Sequence, residues 1–266
     1  MKSLLKNKLA ISFLLILISF AVSHATTLEE TFKKSLPLKS GGRVEVENVN
    51  GNITVESWDK SEVYIEAEKR VRAGSREDAE RFMEALKIEI EQRDNEIIII
   101  TRHPRKVHDG FWDWVFGDNV SAEVSYKINV PKECDVEATS TNGGVYVSNI
   151  EGTIRLRTTN GKINAEALKG LVSARTTNGS VNVELTEVRS AEEMEFKTTN
   201  GSVTLYIPNS IDCDVEAKTT NGSIKTDFPL EVRGKYGNKS VRGKINSGGP
   251  LIFIETTNGS IKLLET

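Results

Sequence analysis

Little in this sequence invites a chemical reading. Its 266 residues include two cysteines, three histidines, three tryptophans and six prolines, and aromatics make up only 6%. So few rings mean that any core is filled by aliphatic side chains. Two cysteines, Cys134 and Cys213, cannot build a disulfide framework, although an even pair in an oxidising compartment can form one bond. The chain has no Gly-x-Ser-x-Gly, no Walker loop, no Cys-x-x-Cys and no His-Glu-x-x-His, so the common signatures of nucleophilic, phosphoryl-transfer, redox and zinc chemistry are missing. The Asp-bearing, glycine-rich nonapeptide of calcium-binding rolls is missing too. Nor is there an excess of positive charge. Lys and Arg number 35 against 38 Asp and Glu, which argues against nucleic acid as a partner. No cofactor is expected.

Long apolar runs are also scarce, and the only notable one lies at the start. Met1–Lys8 carries Lys2, Lys6 and Lys8 with no acid, and Leu9–Val22 is an apolar run of 14 residues ending in Ser23-His24-Ala25. This pattern predicts a secretory signal peptide over residues 1–25, cleaved after Ala25. A membrane span needs about 20 apolar residues, so the run is too short for an anchor, and no membrane span is expected in the mature chain. No cysteine follows the cleavage point to carry a lipid. The mature chain, with 32 basic and 38 acidic side chains, is expected in the periplasm, at the cell surface or secreted.

What is present in abundance is a repeat. Asn-Gly occurs at Asn50, Asn142, Asn160, Asn178, Asn200, Asn221 and Asn258, five times within Thr-Thr-Asn-Gly. From Asn142 the intervals are 18, 18, 22, 21 and 37 residues. A period near 20 is the mark of a repeat architecture, and the last interval reads as two periods with one Asn-Gly missing. Six residues before each Asn stand Val44, Val136, Ile154, Val172, Met194, Val215 and Ile252; three after stand Ile53, Val145, Ile163, Val181, Val203, Ile224 and Ile261. Apolar and polar residues alternate on both sides of the Asn-Gly, so each unit is two short strands around a turn. Asn and Gly tolerate positive φ there.

Two all-β architectures fit. One is a parallel β-solenoid with two short strands per coil and an 18–22-residue repeat. The alternative is an antiparallel meander or sandwich with Asn-Gly hairpins. Residue-by-residue identity between units favours the solenoid, where like residues touch at a spacing of about 4.8 Å. The solenoid places Cys134 and Cys213 four coils, or about 19 Å, apart. A disulfide tolerates only about 7 Å between Cα atoms, so no Cys134–Cys213 bond is expected.

The pattern lapses between Val71 and Val130. Ser75-Arg76-Glu77-Asp78 resembles a capping box, and Ala79, Phe82, Met83 and Leu86 have helical spacing, predicting a short helical insertion over about 76–87 that caps the first coil. Strands follow at 87–92 and 96–102. The organisation expected is thus a signal peptide (1–25), an N-terminal part of the solenoid (26–130) with its insertion at 71–120, and the Asn-Gly repeat (131–266). Within the insertion, residues 102–119 concentrate Trp112, Trp114 and Phe116 with His103, His108 and Asp109. The stretch reads either as a loop folding its rings over the solenoid edge or as a contact with a ligand or partner. As a metal site, its spacing matches no standard ligand set.

One outward row stands out. Arg157, Arg175, Lys197 and Lys218 each precede an Asn by three, in what reads as four consecutive coils. Stacked like charges need compensation. Either Glu195 and Glu216 neutralise the row, or it is a track for an acidic envelope polysaccharide. An uncapped final strand, 261–264, also suggests self-association through the C-terminal coil.

The segments Asn48–Arg70 and Ile128–Ala138, together with the Thr-Thr-Asn-Gly-Ser-[Ile/Val] coils, resemble the "putative adhesin" domain of bacterial exported proteins over roughly residues 40–266. The resemblance implies a repeat-built β-solenoid in the envelope or outside it, and supplies no catalytic residues. The expected function is a non-enzymatic, adhesin-like binding or scaffolding protein that meets an acidic polysaccharide or a surface partner protein. The alternatives are a carbohydrate-active enzyme on a β-helix, which needs clustered acids beside a groove, and a self-associating structural protein.

Overall fold

The computed structural model describes residues 26–104, 120–187, 192–230, 232–233 and 239–266. The expected signal peptide and the ring-bearing Trp112, Trp114 and Phe116, with His108 and Asp109, lie outside the described residues. Among the described residues the fold is all-β with one helix, and the 20 strands join into a single sheet that mixes parallel and antiparallel pairs.

The N-terminal part comprises β1 (Thr26–Pro37), β2 (Gly42–Glu47), β3 (Ile53–Trp58), β4 (Glu62–Ala73), α1 (Arg76–Ala85), β5 (Lys87–Arg93), β6 (Glu96–Arg102) and β7 (Ser121–Pro131). The repeats follow as β8 (Cys134–Asn142), β9 (Val145–Ser148), β10 (Glu151–Asn160), β11 (Ile163–Asn178), β12 (Val181–Glu187), β13 (Met194–Asn200) and β14 (Val203–Ile207). The remainder is β15 (Cys213–Asn221), β16 (Ile224–Thr226), β17 (Val232–Arg233), β18 (Lys239–Ile245), β19 (Leu251–Asn258) and β20 (Ile261–Glu265).

Equivalent strands of neighbouring repeats pair in parallel and in register, which excludes a meander for this part of the chain. Ile154 lies opposite Val136 on one side and Val172 on the other, and Ile163 lies between Val145 and Val181. The alternation seen in the sequence therefore puts one row of aliphatic side chains per position inside, and these rows are almost fully buried. Antiparallel strands flank the stack. At one end β6 and β7 continue the parallel pairing beyond β2 and β3, and β4, β1 and β5 add antiparallel outside them. At the other end β18 runs antiparallel along β15.

The helix forms where its cap predicts. Ser75 Oγ accepts from the Asp78 amide at 3.1 Å, and Ala79, Phe82 and Met83 are buried. Its place differs from expectation. It packs on β4 and β1, because the open end of the first coil is already closed by hydrogen-bonded strands.

Stacking order departs from chain order. β19 pairs with β13 on one side and β15 on the other, and β20 lies between β14 and β16. The last coil is therefore inserted between the two coils that precede it in sequence. Among the described residues the 37-residue interval holds no extra coil: after β16 the chain makes β17 and β18, which pair with each other, lays β18 along β15, and returns into the gap. The expectation of an open C-terminal coil is corrected by the same pairing, since β20 has partners on both edges and offers none for self-association.

The seven Asn form one ladder. Asn142 Nδ2 donates to Asn50 Oδ1 at 2.8 Å, and the same bond repeats from Asn160 to Asn142, Asn178 to Asn160, Asn200 to Asn178, Asn258 to Asn200 and Asn221 to Asn258, at 2.7–2.8 Å. None of these Asn has positive φ, so the amide bonds, not turn conformation, explain the residue. The inward threonines do not form a ladder of their own. Thr158, Thr176, Thr198, Thr256 and Thr219 each donate from Oγ1 to a turn-glycine carbonyl of the adjacent coil at 2.8–2.9 Å. Each such bond satisfies a buried hydroxyl that would otherwise be costly.

Cys134 and Cys213 are buried and unbonded. Five coil steps separate them once the inserted coil is counted, or about 24 Å. Burial pushes both thiols up to about 12, with neighbouring aspartates adding to the shift. The thiolate is the reactive form. Native protein at pH 8 is accordingly expected to take up no iodoacetamide within an hour, and two equivalents once denatured, by intact mass. A Cys134–Cys213 disulfide in non-reducing peptide maps would contradict this fold.

Candidate binding site

The outward residues of the first strand of each coil form two rows, because residues i and i+2 of a strand share a face. One row reads Thr139, Arg157, Arg175, Lys197, Glu255, Lys218 in stacking order. The structure thus brings Arg157, Arg175 and Lys197 together but not Lys218, which the inserted Glu255 separates from them. The second row contains Glu137, Arg155 and Ser173 in the same direction. Arg155 is the residue the interval-based reading overlooked; simple alternation along β10 identifies it beside Arg157.

The charges divide unevenly. Glu195 pairs with both Arg175 and Lys197, Glu255 adds an oxygen 3.4 Å from Lys197 Nζ, and Glu216 pairs with Lys218. Partial burial alone would push the Glu195 carboxyl up, but the Lys197 and Arg175 partners outweigh it and hold it below its ordinary value. Lys218 likewise holds Glu216 down. Burial would lower Lys197, yet its two carboxylates raise it. Lys197 and Lys218 also lie 4.6 and 5.3 Å from the centre of the Phe253 ring. By contrast, Arg155 and Arg157 are exposed and have no ion pair among the described residues. The uncompensated cations therefore sit at one place on β10, at the edge of Arg175.

A second concavity lies where the first coils meet the N-terminal strands and α1. It measures ≈ 870 Å³ and is bordered by Val49, Asn52, Arg72, Phe82 and His103, with Arg70 and Glu123 on the rim. Arg70 Nε is 2.8 Å from Glu29, and its second nitrogen is 3.2 Å from Glu68. His103 Nε2 is buried without a hydrogen-bond partner among the described residues, and burial holds its imidazole below the ordinary value. No group of three His, Cys, Asp or Glu side chains is placed to hold a metal ion among the described residues. No helix among them is long and apolar enough to cross a membrane.

No curated protein matches the chain. Solved structures to which the chain is distantly similar include a "putative cell adhesion protein" from Clostridium sporogenes, 14% identical, with a TM-score of 0.42, covering 89% of this chain and 100% of that one. Another is a "putative adhesin" from Bacteroides fragilis, 12% identical, with a TM-score of 0.35, covering 89% and 97%. A third, from Parabacteroides distasonis, carries the name "putative lipid binding protein", at 11% identity and a TM-score of 0.22, covering 89% and 96%. The Toastrack DUF4097 family model matches residues 31–264, nearly the whole described chain, and the chain belongs to that family.

Proposed function

We propose that this is an exported, non-enzymatic β-solenoid protein of the bacterial envelope that holds an acidic polysaccharide along its outer strand face. One observation carries the reading: Arg155 and Arg157 project from a rigid strand, exposed and unpaired among the described residues, with Arg175 one coil away. Guanidinium forks suit carboxylates, which they can grip with two parallel hydrogen bonds. A regular stack presents such groups at a fixed spacing of about 4.8 Å, so an extended polymer meets them without ordering the protein. The lysines further along the row are already neutralised and add little. Export rests on the lysine-led apolar run of residues 1–25.

The test is binding of residues 26–266 to polygalacturonate, beside Arg155→Gln/Arg157→Gln and a Lys218→Gln control. The double variant is expected to bind at least tenfold more weakly, the control to match the parent, and added salt to weaken the parent steeply. Equal binding by parent and double variant would overturn the assignment.

A further inference from the structure

The groove of ≈ 870 Å³ at the cap is a different surface from the β10 arginines, and its chemistry is more selective. Its volume lies within the range of small-ligand sites. Its walls are mixed. Val49, 39% exposed, and Phe82 supply apolar surface. Asn52 accepts from the Gly144 amide at 2.8 Å through Oδ1, leaving its Nδ2 donors available to the groove. His103 adds a buried Nε2 with no hydrogen-bond partner among the described residues, a state that favours a ligand group able to satisfy it.

Charge decides the ligand class. Arg70 is spent on Glu29 and Glu68, with Glu123 also acting on it. Glu123 in turn accepts from Ser125 Oγ at 3.1 Å. Arg72, two residues along the same strand and lining the same groove, is exposed and has no ion pair among the described residues. The groove thus combines one free guanidinium, amide and imidazole hydrogen-bonding groups, and an apolar patch.

We propose that this groove binds a carboxylated sugar unit, its carboxylate on Arg72, its hydroxyls on Asn52 and His103, and its carbon face on Val49 and Phe82. This deepens the reading of an acidic-polysaccharide binder, adding an end-on subsite for one or two sugar units to the lateral β10 face.

The experiment is calorimetric titration of residues 26–266 with digalacturonate and, separately, with neutral galactobiose. Both are repeated on Arg72→Gln, on Asn52→Ala and on Arg155→Gln/Arg157→Gln, each first checked for an unchanged thermal transition. The expected result is digalacturonate binding that falls at least tenfold in Arg72→Gln and severalfold in Asn52→Ala, with the β10 variant binding like the parent. Galactobiose is expected to bind at least tenfold more weakly. Equal affinity for the acidic and neutral disaccharides, or digalacturonate binding indifferent to Arg72→Gln, would overturn the groove site. Polygalacturonate binding without any digalacturonate binding would overturn the groove and leave the β10 reading standing. Loss of both would overturn both.

Discussion

Deleting residues 251–266 is expected to unfold far more than the last 16 residues. In a repeat protein whose stacking follows chain order, removing the final coil trims one end and leaves the rest nearly intact, because stability is a sum over neighbours. Here β19 and β20 sit between β13/β14 and β15/β16. Their removal strips the coil of residues 213–226 of its parallel partners and exposes new edges on both sides of the gap. It also deletes Ile252, Ile254, Ile261 and Leu263 from the core, all at most 2% exposed. Burying a large aliphatic side chain is worth about 1.5–3 kcal/mol, so these four account for about 6–12 kcal/mol, comparable with the whole stability of a typical domain. The truncated chain should lose its cooperative thermal transition, or show rapid hydrogen exchange across residues 213–245 with protection kept near β8–β11. A truncated chain that melts within about 5 °C of the parent, with β15 still protected, would contradict the inserted-coil topology.

Gly179→Ala should be among the most damaging single-methyl changes, because it falls inside the stack with a coil on either side. A Cβ at Gly179 would stand 2.0 Å from the carbonyl oxygen of Gly161, and the same contact recurs at 1.8–2.0 Å for Gly143, Gly161, Gly201, Gly222 and Gly259. These are backbone atoms of the adjacent coil, so no side chain can move aside. The two coils must separate locally, which lengthens the Asn178–Asn160 amide bond, the Thr176–Gly161 hydroxyl bond and the Gly161–Asn178 backbone bond between them. Overpacking alone costs about 1–3 kcal/mol, and with these bonds weakened a loss of about 3–5 kcal/mol is expected. Urea unfolding should show a clearly lowered midpoint. Gly74→Ala is the control. Nothing lies within 4 Å of its Cβ, and its φ is not in the left-handed region, so its midpoint should stay within the scatter of surface substitutions.

These two effects mark what the amino-acid order discloses and what it conceals. Strand positions, inward rows, a helix opening at residue 76 and cysteines too far apart to bond follow from alternation and spacing, although the helix stops at Ala85 and the cysteines lie one coil further apart than the spacing implies. The reason for Asn-Gly does not, because both residues act across coils. Glycine is required by the closeness of the next backbone, and Asn by the amide of the next Asn. The inserted coil was illegible for a related reason. All coils carry nearly the same motif, so any one could stack on any other, and chain order is only the default. Residues 227–250, which break the pattern, hold the information, but by length they read as one more unit whose Asn-Gly is missing. The candidate site is affected in the same way: by spacing Lys218 follows Lys197, whereas Glu255 stands between them, and Arg155 occupies a position filled by Glu137, Ser173 and Glu195 in other coils, so no common residue type marks it.

The amide ladder has a chemical consequence for the lifetime of the protein. Asn followed by Gly is the pair most prone to spontaneous deamidation, since the small residue lets its own backbone nitrogen attack the preceding side-chain carbonyl. In this stack that nitrogen is engaged elsewhere: the amides of Gly51, Gly143, Gly161, Gly179, Gly201 and Gly259 all donate to Asn carbonyls of the neighbouring coil. The side-chain amides are likewise held by their ladder partners. A sequence that looks destined for rapid ageing is thereby shielded as long as it stays folded. Asn221, at the terminus of the ladder, has no further Asn-Gly coil beyond it among the described residues and is the position where isoaspartate should first accumulate.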